Sequence, residues 1–185
     1  MKNLLFVLSG PSGVGKGVIA KKIIERNKNV KLSISCTTRE SRKGEVNGNH
    51  YFFISKKEFE SRIEKGEFLE YSKHFENYYG TPKDFVLKEL EQNDVLLEID
   101  VNGGLNVKNS YKDALLIMVL PPSIEELKNR LLKRHTETEE QIEKRLSRLE
   151  YELDKKDQYD YVVINDTIEN AVEQIENILK KEKNK

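Results

Sequence analysis

The chain has 185 residues, enough for one substantial core and too few for two comfortable domains. Its 32 basic and 32 acidic residues cancel, so no global field draws it to nucleic acid or to an anionic membrane. Cys36 is the one cysteine, which excludes an internal disulfide; with no run of eighteen apolar residues and no secretory-length segment after Lys2, a cytoplasmic protein is expected.

The apolar run Leu4 to Leu8 predicts a strand buried on both faces, and Ile19, Ala20, Ile23 and Ile24 recur at helical spacing. Between them stands GPSGVGK, Gly10 to Lys16, matching G-x-x-x-x-G-K in the strand-to-helix setting that a phosphate-cradling loop requires. A glycine-rich turn points successive backbone N–H groups at an anion, and the following helix adds its positive end. Gly10, Pro11, Ser12, Gly13, Val14, Gly15, Lys16, Gly17 and Val18 are therefore the expected segment for nucleotide phosphates, taken as ATP on the resemblance given below, with Lys16 along the β- and γ-phosphates. Where the pattern expects Ser or Thr after the lysine the chain has Gly17 and then Val18. Mg²⁺ must then rely on phosphate oxygens, water and a carboxylate.

Leu32 to Thr37 alternates strictly, which predicts a strand with Ser33, Ser35 and Thr37 on one polar face. Tyr51 to Ile54 and Phe68 to Tyr71 predict short strands, with a helix between them opened by Ser55 and Glu58 and closed before Gly66. Thr81, before Pro82 and with Asp84 three residues on, reads either as a helix N-cap or as a ligand. Compact strands follow at Val95 to Ile99, Ala114 to Leu120 and Tyr161 to Ile164. Helices are expected after the Ser123/Glu126 and Thr138/Gln141 caps, and over Ile168, Ala171, Val172, Ile175 and Ile178. Apolar strands alternating with amphipathic helices indicate an α/β fold with ligands at the carboxyl ends of its strands. The alternating segment near residues 33–81 reads as a small half-exposed sheet inserted into it.

Within that insert, Arg39 and Arg42 present planar donor forks that suit a phosphate dianion, and Tyr51 and Tyr79 add hydroxyl donors. Glu98 and Asp100 end the strand VLLEID two residues apart, hence on one face, where Asp100 can reach Mg²⁺ through water. Arg130 and Arg134 are four apart on one helical face, Arg145 lies on the next, and the polar HTETEEQ between them reads as a lid that swings cations over phosphates.

The loop, TTR-x-x-R with GE-x-NG-x-x-Y-x-F, the FLEY and NYYGT pieces, and the RL-x-x-R and KRL run together resemble the guanylate kinases, in the P-loop nucleoside monophosphate kinase group, over nearly the whole chain. The resemblance implies a three-layer α/β/α fold with a parallel central sheet, a small inserted mixed α/β nucleotide-binding subdomain and a helical lid. One domain is expected: core about 1–32, 82–129 and 147–185, GMP-binding insert about 33–81, lid about 130–146. It implies that Arg39, Arg42, Tyr51 and Tyr79 hold the 5′-phosphate of GMP. Glu70 takes the guanine N1–H and 2-amino donors, which adenine cannot offer as an adjacent pair, with Ser35, Thr81 and Asp100 beside the base. Lys16, Arg130, Arg134 and Arg145 then stabilise the transferring phosphoryl group, and Asn165 is an expected ATP contact. The implied activity is Mg²⁺-dependent transfer of the ATP γ-phosphoryl group to GMP by a monomer or small homo-oligomer without nucleic-acid or membrane partners. Its alternatives are a non-catalytic interaction module of the same shape and a P-loop kinase for another phosphorylated acceptor.

Overall fold

The computed structural model describes residues 2–74, 76–132, 147 and 149–185. The apolar run becomes β1 (Leu5–Ser9), buried at every position, and α1 (Lys16–Arg26) follows the loop. β2 (Val30–Leu32), β7 (Asp94–Glu98), β8 (Leu115–Leu120) and β9 (Tyr161–Ile164) join β1 in a parallel sheet of order β2-β7-β1-β8-β9. Alternate residues of β1 feed two different cores, as a strand's period of two requires. Phe6 and Leu8 pack with Ile19 and Ile23 of α1 and with Val172 and Ile175 of the C-terminal helix. Leu5 and Val7 pack with Val86, Val101 and Val107 on the opposite face. Those last residues lie on α3 (Lys83–Leu90) and α4 (Val101–Ser110). Helices thus cover both faces of the sheet, as all-parallel strands demand.

The Leu32–Thr37 alternation does not make one strand. Val30–Leu32 joins the central sheet, while Cys36–Thr37 forms β3 of a second sheet, so the chain changes layer across Ser33 to Ser35. This second sheet has the order β4-β3-β6-β5, built from β4 (Phe52–Phe53), β5 (Phe68–His74) and β6 (Asn77–Pro82). It is mixed: β3 runs parallel to β4 and antiparallel to β6. The helix between β4 and β5, α2 (Lys56–Glu64), starts as expected, with Ser55 Oγ accepting from the Glu58 N–H at 3.1 Å. Phe59 on α2 is fully buried and stacks between Phe68 at 4.4 Å and Tyr78 at 5.1 Å. That aromatic stack is what holds the helix onto the insert's sheet.

The other expected caps are realised in part. Ser123 Oγ accepts from the Glu126 N–H at 3.1 Å and opens α5 (Ile124–Leu132). Pro82, not Thr81, is the N-cap of α3, with no side-chain cap bond, so the N-cap reading of Thr81 is replaced by a different contact described below. The C-terminal helix α6 (Ile168–Lys183) is capped by Thr167, whose Oγ1 accepts from the Asn170 N–H. The Thr138/Gln141 cap lies outside the described residues. No helix among the described residues is long and apolar enough to cross a membrane.

Replacing Phe59 by Ala should cost about 3–5 kcal/mol, because the stacked rings on either side cannot collapse into the space. Urea unfolding monitored by circular dichroism measures it, and a loss below about 1 kcal/mol contradicts the packing role given to this ring.

Candidate active site

The glycine-rich loop leaves the carboxyl end of β1 under steric compulsion. Gly10 has φ 146°, and a Cβ there would fall 2.1 Å from the Val119 carbonyl oxygen on β8. Gly13 and Gly15 also have positive φ, at 87° and 99°, so the loop's path is one that L side chains resist. Lys16 folds back over it, its Nζ donating to the Gly10 carbonyl at 2.6 Å and the Pro11 carbonyl at 3.2 Å. Val14 anchors the loop in the core, and its carbonyl accepts from the Asn165 amide at 2.7 Å. Asn165 is buried, so this amide meets the loop's backbone from behind.

The β1–β7 register pairs Leu8 with Glu98, which lifts the Glu98 carboxylate to the height of the loop. A Cβ on Gly17 would lie 3.4 Å from Glu98 Oε1 and 3.6 Å from Oε2. The carboxylate therefore faces the position where a loop hydroxyl is missing. Desolvation pushes the Glu98 carboxyl above its ordinary value, and the Lys16 charge opposes the shift.

Between the insert and this end of the sheet lies a cavity of about 530 Å³. Ser35, Arg39, Arg42, Tyr51, Glu70, Tyr79 and Asp100 of the expected acceptor set all line it, together with Glu98. Thr81 stands behind Glu70, its Oγ1 donating to Glu70 Oε1 at 2.7 Å. Ser72 and Asn77 also line the cavity and were not foreseen. The available signal was their two-residue offset from Glu70 and from Tyr79, which keeps them on the same strand face.

At one end of the cavity, Arg39 is clamped in a fork. Its Nη1 and Nη2 donate to the two carboxylate oxygens of Glu45 at 3.0 and 2.9 Å, and the Arg42 N–H donates to Glu45 at 2.7 Å. The Arg39 bond, then the Arg42 N–H, pull the Glu45 carboxyl down to about 2. The Arg39 guanidinium lies 5.6 Å from the Tyr51 ring centre, and the Tyr51 and Tyr79 rings meet edge to face at 6.1 Å. Glu45 was missed because an acidic residue three beyond an arginine in a turn looks like a solvated charge.

At the other end, Glu70 is only 7% exposed. It reaches the cavity because β5 carries a bulge: Phe68 pairs with Pro82 but Glu70 with Thr81, leaving Leu69 as the extra residue. Phe68 and Tyr71, three apart, consequently share the face that packs on Gly80, while Glu70 turns the opposite way. Burial pushes the Glu70 carboxyl up to about 7, the Thr81 hydroxyl bond opposes this, and the Asp100 charge adds to it. Asp100 is the N-cap of α4, its Oδ1 accepting from the Gly103 N–H at 2.8 Å. Of the expected lid arginines, Arg134 and Arg145 lie outside the described residues, and of Arg130 only its position on α5 is described.

The guanylate kinase family model matches residues 2–182. The chain is 54% identical to a guanylate kinase of Caldanaerobacter subterraneus subsp. tengcongensis over 183 residues, covering 98% of this chain and 89% of that protein. It is 51% identical to a guanylate kinase of Clostridioides difficile over 185 residues, covering 100% of this chain and 90% of the relative. Its fold matches the crystal structure of guanylate kinase from Anaplasma phagocytophilum with a TM-score of 0.77 and 32% identity, over 98% of this chain and 86% of that one. A glycine-rich loop at the carboxyl end of β1, a cavity with cations at one end and a buried carboxylate at the other, and this agreement in sequence and fold lead to one conclusion: the chain belongs to the guanylate kinase family.

Proposed function

We propose that the chain transfers the γ-phosphoryl group of ATP to the 5′-phosphate of GMP, giving ADP and GDP for purine nucleotide metabolism in the cytoplasm. The observation that carries this reading is the pairing, in one cavity, of the Arg39, Tyr51 and Tyr79 donors with the buried Glu70 acceptor. In this reading Arg39, Arg42, Tyr51 and Tyr79 bind the acceptor phosphate. Glu70 accepts from guanine N1–H and the 2-amino group, with Ser35, Thr81 and Asp100 at the base edge. An acceptor whose base lacks two adjacent donors leaves the buried Glu70 carboxylate with the Thr81 hydroxyl but without the base's paired donors, a penalty that supplies the discrimination.

The triphosphate takes the segment Gly10 to Val18, and Lys16 exchanges its carbonyl partners for phosphate oxygens. Asn165 contributes by holding Val14, and so the shape of the loop. The attacking oxygen belongs to a phosphate already ionised at neutral pH, so no general base is needed. Catalysis rests on positioning and charge stabilisation by Lys16, Arg130, Arg134 and Arg145. Residues 33–81 act as the GMP-binding insert, 130–146 as the lid, and the rest as the core, closing together to exclude water.

Magnesium fits the donor set. Among the described residues no group of three His, Cys, Asp or Glu converges on a metal position, so the ion would take most ligands from phosphates and water. The Glu98 carboxylate, standing where a Gly17 side chain would be, and Asp100 through water would hold it. When bound it supplies neutralisation of charge on the phosphate oxygens.

ADP release should depend on GMP and far exceed that with AMP, CMP, UMP or ribose phosphates; equal rates with and without GMP would overturn the proposal and favour a non-catalytic module. Lys16→Ala should lower kcat by about 10²–10³ while leaving GMP binding nearly intact. Glu70→Gln should cut kcat/KM for GMP by about 10–100-fold, one donor–acceptor pair being turned into a repulsive one.

Two pH effects follow from the same carboxylate. Because kcat/KM reports the free enzyme, it should climb for GMP as Glu70 ionises near pH 7 and level off above. For stability the sign is opposite. The folded chain holds the Glu70 proton more tightly than the unfolded chain, whose ordinary value is 4.5, so stability falls as pH rises from about 4.5 to 7. Above that, ionised Glu70 costs the unliganded fold roughly 3 kcal/mol. Glu70→Gln should therefore unfold at higher urea than wild type at pH 8 and at about the same urea at pH 5; the reverse order contradicts the burial argument.

A further inference from the structure

Two adjacent glycines in the first turn of α4 are in contact with opposite sides of the molecule. A Cβ on Gly103 would fall 3.3 Å from both Asp100 Oδ1 and Glu70 Oε2, so this glycine opens the turn toward the cavity. A Cβ on Gly104 would fall 2.4 Å from the Tyr159 hydroxyl and 2.8 Å from Ser9 Oγ, so the second opens it toward a pair of buried hydroxyls. Tyr159 follows the short 3₁₀ turn Lys156–Gln158 and is only 8% exposed. Its hydroxyl donates to the Val101 carbonyl at 2.9 Å, and Ser9 Oγ donates to the Asp100 carbonyl at 3.1 Å. Two successive peptide carbonyls, at the N-cap and first residue of α4, are thus held from below while the Asp100 side chain faces the cavity above.

We propose that Tyr159 is a positioning residue for the acceptor nucleotide: with Ser9 it fixes the first turn of α4 and, through that turn, the Asp100 carboxylate beside Glu70. This rests on the GMP reading of the cavity. The physical reason is geometric. The Asp100 carbonyl already accepts from the Gly104 N–H at 3.0 Å inside the helix, so the Ser9 hydroxyl is a second donor on that oxygen and, with the Tyr159 hydroxyl on the next carbonyl, clamps from outside the helix the backbone that carries the Asp100 side chain. Burial pushes the Tyr159 hydroxyl well above its ordinary value, which keeps it a proton donor throughout the working range of pH. Tyr151, on the same returning segment, adds a bond from its hydroxyl to Asn102 Oδ1 at 3.1 Å on the adjacent residue of the turn. A helix merely packed on the sheet would not require a glycine beneath a tyrosine hydroxyl.

Tyr159→Phe in the full chain keeps the ring and removes the one oxygen. GMP affinity, measured by calorimetry on the nucleotide-free protein and as KM at saturating ATP, should weaken about tenfold, with the KM for ATP within twofold of wild type. Ser9→Ala reads the grip from its other side, should shift GMP in the same direction, and decides the matter if Tyr159→Phe does not fold. Tyr161→Phe, which removes a hydroxyl bonded to Glu182 on α6, serves as the control and should leave both constants unchanged. GMP affinity within twofold of wild type in Tyr159→Phe, or equal weakening of GMP and ATP, overturns the positioning role while the proposed function stands. A wild-type chain that neither binds nor phosphorylates GMP overturns both.

Discussion

A carboxylate kept out of water is the constraint around which the acceptor side of this molecule is organised. Burial, and with it the nearby Asp100 carboxylate, disfavours the Glu70 charge in the unliganded fold, and the Thr81 hydroxyl bond offsets only part of this. An isolated fold would be better served by Gln or Leu there. In the proposed function a ligand brings paired donors to Glu70, so part of the binding free energy would be provided in advance as an unfavourable burial in the free protein. The β5 bulge, the absent side chain of Gly103 and the capped start of α4 all bring backbone close to that one group.

The Arg39 and Lys16 ends of the site are arranged on a different principle. Their cations are already occupied by internal partners: Arg39 by Glu45 in a two-point fork, Lys16 by loop carbonyls. The fork is specific in direction and fixes the guanidinium plane, whereas the Lys16 hydrogen bonds to Gly10 and Pro11 are to neutral carbonyl dipoles. One end is thus pre-oriented and the other adaptable.

Glu98 shows how strand register substitutes for local sequence. The loop lacks a hydroxyl after Lys16, and nothing in the neighbouring residues replaces it. The carboxylate that faces that position stands some eighty residues on in the chain, at the end of β7, set level with the loop because Leu8 pairs with Glu98. Its place at the end of VLLEID is legible in the sequence, but its level against the loop is set by a register that no linear motif records.

From the amino-acid order by itself, the elements whose signals are local were legible: the Leu4–Leu8 strand, the glycine loop, the Ser55 and Ser123 caps, the later strands, and the cationic and tyrosine positions of the insert. These follow from period, capping chemistry and backbone permissiveness, all properties of a few neighbouring residues. The tertiary structure alone decided the rest. It split the Leu32–Thr37 alternation between two sheets, since the hydrogen-bond partners of a strand are remote. It gave Thr81 to Glu70 instead of to a helix end, placed Leu69 in a bulge, paired Glu45 with Arg39, and set Gly104 beneath Tyr159. Each is a contact whose energy depends on a partner brought near only by packing, so burial and register had to exist before the residue's role did.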